Sequence, residues 1–99
     1  MEFNKKLVWC ILEMMNEDES QFVEAEHIRA RYGDEFRIED IVDHIELIED
    51  TELIRAVDYA CERLTFKGHV FLDRIQAARR KHADPEGDEE FWRDIDFAL

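Results

Sequence analysis

The chain predicts a mainly helical fold with one small β-hairpin, a winged helix-turn-helix extended by a C-terminal helix. Three observations predict it. Apolar residues recur at helical spacing in three successive segments of the first half. Two short runs then read as antiparallel strands, and a further amphipathic segment follows them. The order helix, helix, helix, strand, strand, helix is that of a winged helix, whose third helix is the recognition element and whose hairpin is the wing.

Taken in order, Phe3, Leu7, Val8, Ile11, Leu12 and Met15 mark a first helix from Asn4 to Met15, ended by the polar cluster Asn16 to Ser20. Phe22, Val23, Ile28 and Tyr32 predict a shorter second helix that stops at Gly33, a residue suited to a left-handed C-terminal cap. The third helix runs from Arg37 to Asp50, with Ile38, Ile41, Val42, Ile45 and Ile48 turned to the core. Leu53, Ile54, Ala56 and Val57, then Arg63, Leu64, Thr65 and Phe66, form the two strands, with a turn near Tyr59 to Glu62 that carries no Asn-Gly or Asp-Gly pair. Thr65 can cap a fourth helix bearing Val70, Phe71, Leu72, Ile75 and Ala78. Beyond the linker Ala83 to Asp88, Glu89 to Leu99 is expected to be helical. Residues 1–82 are thus the winged-helix core, and residues 83–99 a linker and helix packed on it within a single domain.

Ninety-nine residues, 45% of them hydrophobic, allow one modest core and no deep cleft between domains. The 26 acidic and 13 basic residues give a formal charge of −13, which disfavours direct contact with nucleic acid or anionic membrane and favours cationic partners. Cys10 and Cys61 lie far apart among apolar neighbours, so neither a disulfide framework nor a zinc site is signalled. No apolar run has the length of a membrane span, and the start of the chain does not read as a secretory signal. A cytoplasmic protein is the default expectation.

The most informative segment is the third helix. Glu39, Asp43, Glu46 and Asp50 follow one another at steps of four, three and four, which aligns them on the side opposite the isoleucines, with Asp40 beside them. From Glu35 to Glu52 there are eight acids and one base, Arg37. A DNA-reading helix needs Arg, Lys, Asn or Gln toward base edges and phosphates, so this face has the wrong sign for direct reading. Carboxylates at helical steps can instead imitate phosphates before an Arg/Lys-lined channel. The ordinary alternative is a solvated helix face, which charged residues form on many surface helices.

His44 to Ile54, HIELIEDTELI, and Arg63 to Ile75, RLTFKGHVFLDRI, resemble a winged-helix family of unknown function common in phages and prophages. The resemblance is carried by His44, by an LT-x-x-GH-x-FLD signature at Leu64, Thr65, Gly68, His69, Phe71, Leu72 and Asp73, and by a late aromatic pair containing Trp92. It covers most of the chain and implies the fold more than any activity. The chain departs from the pattern at Thr51 and Glu52, where such proteins have a small residue and Gly, and in its short wing.

Other constellations have plainer readings. Asp84 to Asp96 holds seven acids against Arg93, including the secondary acidic patch Glu86, Asp88, Glu89 and Glu90, while Glu13 to Glu26 holds six acids and no base. Nine Arg and four Lys are also compatible with adaptation to high salt. Lys67, Arg74, Arg79, Arg80 and Lys81 could touch a phosphate backbone, though local acids and the helix end account for them more simply. His69 and Asp73 stand four residues apart but lack a third metal ligand, so no metal site and no cofactor are expected. Ser20 and the cysteines have no catalytic partner in any motif, and no enzyme is expected. Phe91, Trp92, Ile95 and Leu99 could form a docking or dimer face, or cover the protein's own first and fourth helices.

The expectation is therefore a small acidic protein-binding module, monomeric or dimeric, presenting Glu39, Asp40, Asp43, Glu46 and Asp50 to the basic surface of a nucleic-acid-binding protein. A phage-borne inhibitor of the anti-CRISPR or anti-restriction kind is its concrete form. The alternatives are a winged-helix transcriptional regulator that binds DNA and a phage structural or assembly factor.

Overall fold

Asn4 starts the first helix by accepting the Leu7 amide on its side-chain oxygen at 3.1 Å, which satisfies one of the amides a helix start leaves open. The computed structural model describes residues 3–17, 22–58, 60–81, 91–92 and 95. Within them α1 spans Lys5–Glu17 and buries Leu7, Val8, Cys10, Ile11, Leu12 and Met15. All the later helices pack on α1, which makes it the centre of the core.

Helix α2 is Ala25–Tyr32, its start capped by the Glu24 amide donating to His27 Nδ1 at 3.1 Å. Phe22 and Val23 are not part of it, contrary to the periodicity argument. Val23 makes a lone antiparallel bridge with Cys61, exchanging amide–carbonyl bonds of 2.9 and 2.8 Å, and Phe22 is exposed. At Gly33 the chain turns with φ 64 and ψ −137, a conformation reserved for glycine, and enters a short 3-10 turn, Gly33–Glu35.

Helix α3, Ile38–Asp50, buries Ile41, Ile45 and Ile48 fully, with Ile38 and Val42 packed at the core's margin. It ends in a Schellman arrangement. The Glu52 amide donates to the Glu49 carbonyl at 3.0 Å and the Leu53 amide to the Ile48 carbonyl at 3.1 Å, while Leu53 and Ile48 are both fully buried. The position that favours glycine in this motif is occupied by Glu52, at φ 65.

Strands β1, Ile54–Val57, and β2, Ala60–Leu64, pair antiparallel. The turn comes earlier than the expected Tyr59 to Glu62: Val57 pairs with Ala60, and Asp58 adopts φ 50. An irregularity between Arg55 and Ala56 leaves Glu62 as the extra residue and sets Arg55 opposite Arg63.

Helix α4, Phe66–Lys81, starts at Thr65, whose hydroxyl accepts the Gly68 amide at 3.0 Å. Phe66, expected at the end of the second strand, is its first residue. The helix start lies against the residues that follow α3, for Thr65 Oγ1 donates to the Glu52 carbonyl at 2.6 Å and the Thr65 amide to the Leu53 carbonyl at 3.0 Å. Gly68 permits that approach, since a Cβ there would lie 2.0 Å from the Leu53 oxygen. No described helix is long and apolar enough to cross a membrane.

Of the C-terminal segment, Phe91 and Trp92 are helical and buried. The Ile95 amide donates to the Phe91 carbonyl at 3.0 Å. The rest of the expected Glu89 to Leu99 helix lies outside the described residues.

Candidate functional site

At about 100° per residue, Glu39, Asp43, Glu46 and Asp50 fall within an arc of about 60° on α3, opposite the Ile41, Ile45 and Ile48 stripe. Asp40 borders the row on one side and Glu49 on the other. All four residues of the row and Glu49 are exposed, while Asp40 is half-buried. From Glu39 to Asp50 the axis advances about 16 Å, so the four carboxylates of the row stand about 5.5 Å apart along it.

Among the described residues this charge is largely uncompensated. Arg37 Nε lies 3.5 Å from Glu39 Oε2, and both side chains are well exposed, so the pair is weak. Among the described residues, Asp40, Asp43, Glu46, Glu49 and Asp50 make no ion pair. Three other cations are spent elsewhere: Lys6 on Glu35, Arg29 on Asp34 and Arg31 on Glu17. Lys67 Nζ donates at 3.0 Å to the Thr51 carbonyl at the end of α3, which answers the helix terminus rather than a carboxylate.

Inside the same helix His44 is fully buried. Its Nδ1 bonds the Asp40 carbonyl at 2.7 Å, and its Nε2 accepts the Asn4 amide at 2.9 Å, which requires the neutral tautomer with its proton on Nδ1. Phe3 stacks on the ring at 6.1 Å and 14°. His44 thus joins the N-terminal segment to α3 and fixes the rotation of the helix whose outer side carries the acids.

The remaining sequence candidates are placed as follows. Phe91 and Trp92, expected on a docking or dimer face, are 8% and 7% exposed and belong to the core. Trp92 meets Trp9 of α1 at 5.6 Å and Phe91 at 4.8 Å, and the Arg79 guanidinium lies over all three rings at 4.7 to 5.5 Å. Ile95 is half-buried with its carbonyl bonded by Lys5, and Leu99 lies outside the described residues. Burial of the two anchors removes them from any docking surface. Glu86, Asp88, Glu89 and Glu90 also lie outside the described residues. In the basic patch of α4, Lys67 serves the Thr51 carbonyl at the end of α3, Arg74 lies 5.1 Å over Phe71, and Arg79 is held by the aromatic rings, partners other than the local acids and the α4 end expected of them.

His69 and Asp73 gain no third ligand: no group of three or more His, Cys, Asp or Glu is placed to hold a metal ion among the described residues. Burial pushes the Cys10 thiol up to about 11 and that of Cys61 to about 12, so neither is a ready nucleophile. Two exposed features escaped the sequence reasoning, the Arg55–Arg63 pair and the ring of Phe66. The first depends on an irregular register that alternation does not reveal. The second was legible from Thr65, since a residue after an N-cap opens a helix. Comparisons with known protein families, characterised proteins and solved structures find no match to this chain.

Proposed function

We propose that this chain is a protein-binding module that uses α3 as a decoy for nucleic-acid phosphates, occupying the basic contact surface of a nucleic-acid-binding protein inside the cell. Its concrete form is a phage-borne winged-helix inhibitor of the anti-CRISPR or anti-restriction kind, related through the LT-x-x-GH-x-FLD signature to the phage family it resembles. One observation carries the reading: Glu39, Asp43, Glu46 and Asp50 stand exposed along one side of α3, and among the described residues only Glu39 has an ion-pair partner, Arg37.

A competition experiment tests it. A variant with Glu39→Gln, Asp43→Asn, Glu46→Gln and Asp50→Asn keeps the shape and removes the charge. It should lose the ability to displace nucleic acid from the partner, and unchanged displacement would rule the decoy out.

The hairpin favours a second reading. Arg55 and Arg63 face each other across the strands, a like-charge pairing that costs stability, and a wing with two arginines suits a phosphate backbone. A DNA-binding regulator of this kind would show duplex affinity that falls steeply with salt and disappears in an Arg55→Ala, Arg63→Ala variant. The third reading, a phage structural or assembly factor, is less supported, since Phe91 and Trp92 of its proposed contact are buried and Leu99 lies outside the described residues.

A further inference from the structure

Among the described residues His44 is the one polar side chain buried in the core, and its ring joins α3 to the start of α1. The Asn4 amide donates to Nε2 at 2.9 Å, while Nδ1 donates to the Asp40 carbonyl at 2.7 Å, one turn back on α3. Asn4 is at the same time the cap of α1. Its side-chain oxygen accepts the Leu7 amide at 3.1 Å, and its carbonyl accepts the Val8 amide at 3.2 Å. One residue thus ties the first turn of α1 to the inside of α3, and Phe3 beside it stacks on the imidazole while remaining 43% exposed.

We propose that His44 is a proton-operated latch, which holds the Phe3–Asn4 segment on α3 while the ring is neutral and releases it when the ring is charged, whatever α3 binds. The bond from Asn4 needs a bare Nε2. In the imidazolium both nitrogens carry protons, so Nδ1 keeps its bond to the Asp40 carbonyl, whereas Nε2 and the Asn4 nitrogen become two donors set against each other. Turning the ring over does not help, because neither nitrogen is then an acceptor. A buried charge also needs water or a counter-ion. Both partners of the ring are main-chain groups. Of the charged side chains on α3 nearest to it in sequence, Asp40 is half-buried and Asp43 exposed, and neither bonds the ring. On α1, Lys6 is paired with Glu35 and Lys5 bonds the Ile95 carbonyl; on α2, Arg29 is paired with Asp34 and Arg31 with Glu17. Release of Phe3 and Asn4 removes the clash of donors and opens the ring to water in one movement. Histidine is the side chain that changes charge between about pH 5 and about pH 8, so mild acid is the signal such a latch reads.

The experiment is a nuclear magnetic resonance titration of the full, nitrogen-15-labelled chain from about pH 7.5 to about pH 5. The imidazole nitrogen shifts report whether His44 is neutral, the ring-to-ring Overhauser contact between Phe3 and His44 reports the latch, and amide exchange reports the first turn of α1. At the higher pH the ring should be neutral, with its proton on Nδ1 and the contact present. As His44 takes up its proton the contact should vanish, and the protection of the Asn4, Leu7 and Val8 amides should fall by at least about tenfold, while Ile41 and Ile45 of α3 stay protected. His44→Gln, which offers Asn4 an acceptor that does not titrate, should keep that protection across the range. His27→Gln, which alters the other histidine that accepts a backbone amide, should respond as the wild type does. A ring that stays neutral to about pH 5, or one that is charged with the Phe3 contact intact, overturns the proposal. So does a His44→Gln variant that loses protection as the wild type does, or simultaneous loss of protection at Ile41 and Ile45, which would mark unfolding of the whole core.

Discussion

Gly68→Ala gives a direct test of how the fold sets α4 against the end of α3. In an exposed helix interior the change would stabilise by about 1 kcal/mol, because alanine is the better helix former. Here the added Cβ would lie 2.0 Å from the Leu53 oxygen and 3.0 Å from its carbonyl carbon, with Leu64 Cδ2 at 3.4 Å. Ordinary contact requires the backbone to separate by about 1.4 Å, the difference between 3.4 and 2.0 Å. The carbonyl that must move accepts the Thr65 amide, and the Thr65 hydroxyl bonds the Glu52 carbonyl next to it. Overpacking of this kind costs about 1–3 kcal/mol, a strained or lost amide bond about 1, and a disturbed cap about 1. Set against the gain in propensity, the net expectation is a loss of about 2–4 kcal/mol, or a melting temperature lower by more than about 10 °C for a domain of this size. Thermal unfolding followed by far-ultraviolet circular dichroism measures it. A variant as stable as the wild type, or more stable, would refute the claim that Gly68 is required by this close approach.

The other predictions concern the same fold and its surface. Glu52→Gly should raise stability by about 1 kcal/mol in urea unfolding, since it relieves a left-handed residue inside a Schellman motif; a loss would mean that the Glu52 side chain makes a contact of its own. Cys10 and Cys61, raised to about 11 and about 12 chiefly by burial, should resist a disulfide reagent at about pH 8 and both react once urea unfolds the chain, whereas rapid native labelling would contradict their burial. The hydrogen bond from Arg31 holds the Glu17 carboxyl below its usual range, so the pair contributes stability above the unfolded carboxylate pKa and loses it as pH falls through the folded one. Arg31→Met should therefore show a slightly smaller fall in melting temperature between about pH 6 and about pH 3 than the wild type, the effect being small because both groups are exposed. The four-amide variant of α3 should melt at a higher temperature than the wild type, and equal or lower stability would show that the acids support the fold.

The helices were legible because each carries its apolar residues at a spacing that works locally: α1 and α3 expose one side and bury the other, whatever the rest of the chain does. What escaped was set by distant partners. Val23 reads as helical in its own neighbourhood, yet Cys61 draws its backbone into a bridge. The hairpin turn was misplaced because Asp58 takes a positive φ without the following glycine that usually signals it, and because an irregular register hides the alternation. The residues of the LT-x-x-GH stretch have a largely structural use: Leu64 is buried, Thr65 caps α4, and Gly68 admits the Leu53 carbonyl. The carboxylate row was legible from spacing alone. The location of the counter-charges was not, since Arg31 reaches Glu17 from another helix and Lys67 reaches a carbonyl. Composition likewise does not show whether Phe91 and Trp92 anchor a partner or close their own core. The answer depends on Trp9 and Arg79, far away in sequence.

How α3 treats its acids, compared with α1, bears on the proposed decoy surface. Both helices carry acids in the last turn and no base there, where the helix dipole opposes negative charge. For Glu17 of α1 the fold supplies Arg31 from α2. For Glu49 and Asp50 it supplies no ion pair among the described residues, and Lys67 goes to the Thr51 carbonyl instead. Glu39 with Asp43 and Glu46 with Asp50 add two like-charge pairs at four-residue spacing, each unfavourable by about 0.2–0.5 kcal/mol, where a helix face built for solubility would alternate Glu with Lys. Two acids at the wrong end of the dipole add about 0.3–1 kcal/mol each, so the arrangement costs the fold about 1–3 kcal/mol in all. That is a substantial part of the stability of a small domain. On the decoy proposal, that expense is met because the row, on a helix that His44 ties to the N-terminal segment from inside, would face the cations of a partner.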